Sequence, residues 1–415
     1  GLQHSHAVSI SGGTQRIQYY LSANYTDQSG VIKNDNYNRL GGAANVTAKA
    51  TDWLKIGFNM NATNSGTKYS DKGRNGGVFA TEGYTRLALI LPPNMPAYNE
   101  DGTAYLGDGG AMGIAPNTVR VSGYPNPAAL LENGSQVETD VARILSSYFA
   151  ELTPIKNLTL KTQLGIDYMN VVDKRFNNPY MGDGYSTHGE AYSVQIKNKT
   201  LTWTNTAQYN FSLGDHNFDV LAGMESYEKK RDRWGAYRTD IADTKFQLYQ
   251  ADFSNTYPYG NEIVESSLLS YLGRINYDYM AKYMLSLNFR RDGYSALSKN
   301  HRWGNFGGAS AAWRISQEEF FKPFSNVVTD LKVKGSWGIV GNTNVKEYAS
   351  KSYYTSGYYG TSGVYKLSSI ADSENLKWES SSKMDLGFSA QLFNNLTVEF
   401  DYYKNIASDL ILDVP

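Results

Sequence analysis

Apolar and polar residues alternate with a period of two in several stretches of the chain. In WLKIGFNMNATN, at 53–64, every second residue from Leu54 to Ala62 is apolar, and lysine, glycine and asparagine lie between them. Successive side chains of a strand point to opposite faces, so this pattern predicts a strand with one apolar and one polar face. The same pattern occurs at 16–27, 158–168, 282–290 and 384–390.

Short and long connections between the predicted strands alternate along the chain. The predicted short turns lie at 12–15, 51–52, 154–157, 214–217, 280–281 and 394–395. The predicted long loops are 65–138, 171–197, 229–265 and 341–375. Tight turns at one end and long loops at the other are typical of an up-and-down antiparallel sheet, and about seven hairpins predict roughly fourteen strands.

Two connections carry further signals. The loop at 65–138 holds six of the 11 prolines, which predicts an ordered segment outside the sheet. At the short-turn end, Ser316 and Glu319 have the spacing of a capping box, which predicts a short capped helix within 316–329.

The apolar faces of the best strands carry no charge, and their polar faces suit a wet lumen. A lysine or arginine facing lipid at mid-depth would cost roughly 2 to 4 kcal/mol. Aromatic residues next to the predicted short turns indicate a girdle at one membrane interface. These residues are Trp53, Phe211, Tyr279, Tyr283 and Phe393. The pattern therefore favours an all-β transmembrane barrel.

Charge and composition exclude several other functions. The 39 basic and 40 acidic residues leave a net charge of -1, so there is no basic field for nucleic acid. Zero cysteines exclude disulfides and thiolate metal sites, and no G-x-S-x-G motif accompanies the five histidines. We expect neither an enzyme nor a cofactor. No apolar run approaches the roughly 20 residues of a membrane helix.

Several motifs resemble those of one family. They are YYLSANYTDQSGVIKNDNYNR at 19–39, TDWLKIGFNMN at 51–61, LPPNMPAYNEDG at 91–102, NPAALLEN at 126–133, SYLGRINYDYMAKYMLSLNFRRDGYSAL at 270–297, RWGNFGGASAAWRISQEEFF at 302–321, DLKVKGSWGIVGN at 330–342 and LKWESSSKMDLGFSAQLFNN at 376–395. With these motifs the chain resembles, nearly from end to end, the SusC/RagA-type TonB-dependent outer-membrane transporters. The resemblance implies that residues 1–415 are an internal portion of a plugged barrel of about 22 strands. The plug domain and the closing strands have no counterpart in this sequence, so we expect the full protein to be longer.

The resemblance also implies a function and partners. Such transporters import a glycan or a peptide across the outer membrane of Gram-negative bacteria together with a SusD-like surface lipoprotein. The TonB complex would act through a plug region outside this chain. This chain itself would supply barrel wall, lipid contacts and outer loops. Two alternatives remain open: a soluble or surface-attached β-rich binding module, which would need no detergent, and a passive porin, which would need no plug.

Candidate ligand-binding residues lie in two predicted loops. Tyr98, Asn99, Glu100 and Asp101 could contact ligand, although Asp101-Gly102 favours an ordinary turn. The acidic turns at 99–102 and 108–109 do not have the spacing of an EF-hand, so no metal is expected.

Two further aromatic residues, Trp234 and Tyr237, lie beside the charged residues 231–233. They could form a platform on which a sugar stacks. The alternative, which the pattern favours, is a charged loop with incidental aromatic residues.

Overall fold

The described part of the chain in this computed structural model is almost entirely extended. It comprises residues 1–70, 87, 89, 95–103, 105, 126–128, 136–180, 184–343, 345–351, 353–359, 362–369 and 375–412. The strands are β1 (Gln3–Gly13), β2 (Ile17–Ser29), β3 (Asn36–Lys49), β4 (Leu54–Ser70), β5 (Gln136–Ile155), β6 (Leu158–Asn177), β7 (Glu190–Leu213), β8 (His216–Ile241), β9 (Phe253–Tyr279), β10 (Tyr283–Tyr294), β11 (Trp303–Arg314), β12 (Val328–Asn342), β13 (Tyr353–Tyr359), β14 (Ser362–Ser369), β15 (Glu379–Leu392) and β16 (Leu396–Ser408).

Fourteen of these strands form one antiparallel sheet in which neighbours in sequence are neighbours in space. The order runs from β1 to β12 and continues with β15 and β16. The predicted number of strands and their up-and-down order are therefore confirmed. Strands β13 and β14 form a separate hairpin inside 341–375, which the sequence pattern had predicted as a loop.

The six predicted short turns are all present, but the strands are longer than predicted at the other end. The predicted loop 229–265 is reduced to residues 242–252, and 171–197 is reduced to 178–189. The distal part of β8 carries six consecutive charged residues, Glu228–Arg233, so it shows no apolar alternation. The backbone ladder continues there regardless of side chain, which is why the pattern underestimated the strands.

The structure describes only part of the other two predicted loops, 65–138 and 341–375. Strand β4 extends to Ser70 and β5 begins at Gln136, and most of the proline-rich segment between them, including the acidic turn at 108–109, lies outside the described residues. The connection from β12 to β15 runs from 343 to 378.

The register continues each face from strand to strand. One row across the middle of the sheet is apolar: Val220, Ile275, Leu287, Ala309, Trp337 and Met384. The row displaced by one residue is polar: Asp219, Asn276, Ser286, Ser310, Ser336 and Asp385. The alternation predicted for single strands therefore continues across the sheet from β8 to β15.

The predicted capped helix after β11 is wrong. The connection contains two short 3-10 turns, Ile315–Gln317 and Glu319–Phe324, and no side chain caps either. The hydroxyl of Ser316 bonds to Oδ1 of Asp330 in β12 at 2.5 Å, so it is engaged across the connection and does not cap the turn. In the part of the chain that the structure covers, no helix is long and apolar enough to cross a membrane.

The two faces should respond differently to an added charge. We expect Leu287→Arg on the apolar face to lower the free energy of unfolding by about 2 to 4 kcal/mol in lipid vesicles, because the guanidinium would face hydrocarbon. The control Ser310→Arg places the same side chain on the polar face and should lower it by less than about 1 kcal/mol. Urea unfolding of both variants tests this, and equal losses would contradict the assignment of the faces.

Candidate functional site

A continuous row of aromatic rings crosses the apolar face at the short-turn end of β7 to β11. Neighbouring ring centroids in this row are 4.7 to 6.4 Å apart. In order, the rings are those of Tyr209, Phe211, Phe218, Tyr277, His216, Tyr279, Tyr283, Trp313 and Phe320. Rings of this kind prefer the headgroup layer, where an apolar body and a polar edge are both satisfied.

Three residues of the predicted girdle, Phe211, Tyr279 and Tyr283, belong to this row. The other two, Trp53 and Phe393, are half or more exposed beside their own turns. A second group of rings lies at the opposite end of the apolar face, where Tyr271 stacks on Trp303 with centroids 6.2 Å apart.

The spacing of the two aromatic groups fits a membrane. Eight residue steps of about 3.4 Å separate Tyr279 from Tyr271 along β9, a distance of about 27 Å. A strand tilt of about 40° reduces this to about 21 Å across the bilayer, close to the roughly 25 Å apolar band of outer-membrane barrels.

Glu318 fixes the connection after β11 to the aromatic row. Its Oε1 accepts hydrogen bonds from the hydroxyl of Tyr283 at 2.5 Å and from Nε1 of Trp313 at 3.0 Å. Its Oε2 is 3.1 Å from the ammonium of Lys282. The bonds from Tyr283 and then Trp313 lower the pKa of Glu318. Nothing in the alternation of the strands indicated this cluster.

The polar face carries charges held in pairs. Arg290 contacts Glu225 at 3.1 Å, Asp292 at 2.7 Å and the hydroxyl of Ser270 at 2.9 Å. Asp292 is nearly buried and Ser270 is fully buried, so the cluster is rigidly packed against the wall.

A second pair on the same face is bidentate. Arg143 donates from Nε and Nη2 to the two oxygens of Asp167 at 2.9 and 2.7 Å. This fork-to-fork geometry fixes both side chains more firmly than a single contact would.

Nearer the short turns, the polar face lines a cavity of about 890 Å³. Asp219 on its wall accepts hydrogen bonds from Arg274, Asn276 and Gln208. Lys334 and Asp385 also line this cavity. Such a surface offers many fixed donors and acceptors to a polar polypeptide or a hydrated solute.

The candidate ligand residues at 98–101 form a tight turn. The amide of Gly102, at φ +81°, donates to the carbonyl of Asn99 at 3.0 Å. Thr103 donates its hydroxyl to Oδ1 of Asp101 at 2.6 Å and its amide to the same oxygen at 2.9 Å, and these bonds lower the pKa of Asp101. The geometry agrees with the turn that Asp101-Gly102 announced, and Tyr98 and Glu100 remain exposed at its surface.

A buried asparagine outside the predicted site holds this turn. Nδ2 of Asn126 donates to the carbonyls of Ala97 at 2.8 Å and Tyr105 at 2.9 Å. Its Oδ1 accepts from the amide of Ala128 at 2.9 Å. Asn126 begins the NPAALLEN motif, so the motif was visible in the sequence but its role was not.

The predicted platform of Trp234 and Tyr237 is not formed. Both residues lie in β8 rather than in a loop, and their partners across the unbroken ladder to β7 are Gln195 and Tyr192. A separation of three residues on a strand places the two rings on opposite faces. Trp234 is 56% exposed, whereas the hydroxyl of Tyr237 bonds to the buried Glu190 at 2.5 Å.

Histidine and carboxylate groups do not assemble into a metal site within the described ranges. Among the described residues, the shortest distance of this kind is 3.7 Å, between His188 in the connection before β7 and Asp240 near the end of β8.

Comparison with known proteins identifies relatives along almost the whole chain. No family model matches it. A TonB-dependent receptor of Formosa agariphila is 31% identical over 98% of this chain and 40% of its own length. The TonB-dependent receptor SusC of Bacteroides thetaiotaomicron is 28% identical over 99% of this chain and 41% of its own length. The chain thus spans about two fifths of the curated relatives that it matches.

Solved structures give the same result. The structure of the RagAB peptide transporter matches with a TM-score of 0.82 and 26% identity, covering 100% of this chain and 45% of that one. The ferric-catecholate receptor Fiu of E. coli matches with a TM-score of 0.53 at 12% identity, which shows the fold alone. The fold is therefore that of part of the β-barrel of TonB-dependent transporters, and the resemblance to the SusC/RagA type is confirmed. The relatives are named as receptors and importers and not as enzymes.

The Glu318 cluster predicts a pH dependence. Because folding lowers the pKa of Glu318, its contribution to stability is present above the ordinary carboxyl pKa and is lost as the pH falls through the lowered value. We expect the free energy of unfolding to fall below about pH 4.5, and less steeply in Glu318→Gln. Unfolding measured from pH 3 to 6 tests this; the exposed neighbour Glu319→Gln is the control, and identical slopes for all three proteins would contradict it.

Proposed function

We propose that this chain, related over nearly its whole length to the SusC/RagA-type TonB-dependent transporters, is part of the wall of an outer-membrane importer. The observation that carries the proposal is the continuous division of the sheet into an apolar face bounded by two aromatic groups and a polar face of paired charges. A lipid exterior and a wet interior require this division.

We place the long connections outside the cell and the short turns in the periplasm, as in other barrels of this class. Residues 65–138, 171–197, 229–265 and 341–375 then contain the outer segments. The plug and the remaining strands would come from sequence beyond this chain, because the relatives are more than twice as long.

The cargo is a nutrient of the glycan or peptide class, taken up with a SusD-like lipoprotein and driven by the TonB complex through the plug. One of the related structures is a peptide transporter, and one of the related sequences is SusC. Both support an importer that works with a surface lipoprotein. Gram-negative outer membrane is the corresponding location.

The described structure argues against a soluble binding module. Leu285, Leu287 and Trp337 in the middle of the apolar face are 40%, 42% and 51% exposed. A row of large apolar side chains without cover over many strands far exceeds the patches that soluble proteins tolerate. A passive porin would have the same lipid-facing exterior. It differs from a TonB-dependent importer in that its transport does not depend on an energised inner membrane.

Uptake in cells tests the proposal directly. Cells that carry or lack the gene are given labelled oligosaccharides and oligopeptides, with and without an uncoupler of the inner membrane. We expect uptake of one class to require both the gene and an energised inner membrane. Uptake that survives the uncoupler would indicate a passive pore, and uptake that is independent of the gene would refute import.

The candidate ligand residues can be tested separately. On the outer segments we propose that Tyr98, Asn99, Glu100, Asp101, Trp234 and Tyr237 are ligand contacts, with the exposed rings of Tyr98 and Trp234 the most accessible. Loss of a stacking ring at a binding surface typically costs more than about 1 kcal/mol, so Tyr98→Ala should weaken substrate binding about tenfold. The control is Trp203→Phe, on the lipid-facing side of β7. Unchanged affinity of the Tyr98 variant would remove this residue from the site.

A further inference from the structure

A cleft rich in lysine lies where β10 ends and its neighbours continue. Strand β10 ends at Tyr294, whereas β8 and β9 extend beyond it. Two side chains satisfy the free edge of β9: the hydroxyl of Tyr348 accepts from the amide of Glu265 at 2.9 Å, and Oγ of Ser295 accepts from the amide of Ser267 at 2.8 Å. A cavity of about 530 Å³ remains between this edge and the connections at 295–302 and 345–351.

We call this cavity the lysine cleft and define it by its charged lining. The residues are Lys199, Lys230, Arg302, Lys351, Glu228 and Glu265. Lys229 also borders the cavity, but its ammonium is paired with Glu347 at 3.1 Å.

The positive charge of the lysine cleft is only partly compensated. Lys199 and Lys230 are direct cross-strand partners, an arrangement in which like charges repel. Glu265 neutralises Lys230 at 2.6 Å. Among the described residues, no carboxylate lies within 4.0 Å of the ammonium of Lys199 or Lys351. An anion in the cleft would relieve this repulsion.

Arg302 adds a second, independent observation. Its Nε is buried and has no hydrogen-bond partner in the described part of the chain. An unsatisfied buried donor is unfavourable, and more so when it is charged, so an acceptor bound in the cleft would be favourable.

The position of the cleft indicates where the anion would come from. Lys199 lies on the same face of β7 as Leu201 and Trp203, which belong to the apolar, lipid-facing surface. Lys199 lies two residues beyond Leu201, the last apolar residue of this row, towards the end of the sheet opposite the short turns. At the same end, the guanidinium of Arg291 lies 5.2 Å from the ring centroid of Trp303. Most of the charged lining that strands supply, Lys199, Lys230, Glu228 and Glu265, therefore lies on the lipid-facing side of the sheet, and Lys229 comes from the polar side.

We propose that the lysine cleft binds the phosphate groups of a glycolipid headgroup in the outer leaflet of the membrane. The proposal rests on the outer-membrane location proposed above. Lysine and arginine side chains at a membrane surface attract anionic headgroups, and basic pockets at this height recognise them specifically. A substrate anion is less well placed, because Lys199 faces away from the polar side of the sheet.

The test uses the full-length protein in detergent, with phosphorylated lipid A and the same lipid after chemical removal of its phosphates as probes. Native mass spectrometry measures the bound lipid. Each lysine at a membrane surface contributes about fivefold in affinity, so Lys199→Gln combined with Lys351→Gln should bind phosphorylated lipid A about 25-fold more weakly. Lys322→Gln, an exposed lysine at the short-turn end, is the control and should bind as the wild type does.

The outcomes separate the possible sources of the anion. Weaker binding of the phosphorylated lipid alone, confined to the double variant, supports the proposal. Equal binding of both lipids, or an unaffected double variant, overturns it. Complete displacement by millimolar inorganic phosphate would indicate a free-anion site and also overturns it. If the double variant does not fold, Lys199→Gln alone is expected to show the fivefold loss.

The uptake assay keeps this proposal distinct from the proposed function. The double variant should retain energy-dependent uptake, because Lys199 faces away from the lumen. Loss of lipid binding with intact uptake supports both proposals. Absence of uptake in the wild type would remove the importer while leaving the lipid measurement interpretable.

Discussion

The structure depends on the requirement that every backbone donor and acceptor within a bilayer is bonded inside the protein. Hydrocarbon offers no partner, so strands can cross only when each is paired along its length. Across the apolar band the ladders from β2 to β15 meet this requirement, and the register shifts at 152–155, 233–235 and 328–330 and the free edge of β9 lie towards the strand ends. Once the register is set, the period of two decides which side chains face lipid and which face the lumen. One continuous apolar face results.

The remaining features follow from that division. Charges within the membrane belong on the polar face, and there Arg290 and Arg143 are held by two or more partners each. Amphipathic rings line the boundary between the apolar face and the headgroups. Glu318 bonds the connection after β11 to two of these rings. Beyond the opposite boundary, charges return to the outer face, and the lysine cleft lies there.

Sequence reasoning succeeded where the membrane imposes alternation and failed where it does not. The five predicted strands and six short turns were read from period two and from turn residues. Beyond Lys229 both faces of strand β8 are wet, so the pattern predicts a loop there. It therefore gives no sign that Trp234 and Tyr237 lie on opposite faces of a strand. The Glu318 cluster and the contacts of Asn126 join segments far apart in sequence, so no local pattern could reveal them.

The central claim is that alternate residues of β10 face lipid and lumen. The chain contains no cysteine, so single cysteines carrying a nitroxide can be introduced within it one at a time from 284 to 290. Electron paramagnetic resonance then compares the accessibility of each label to dissolved oxygen and to a water-soluble nickel complex. The account predicts oxygen maxima at 285, 287 and 289, out of phase with the nickel complex. Accessibilities without a period of two would contradict it.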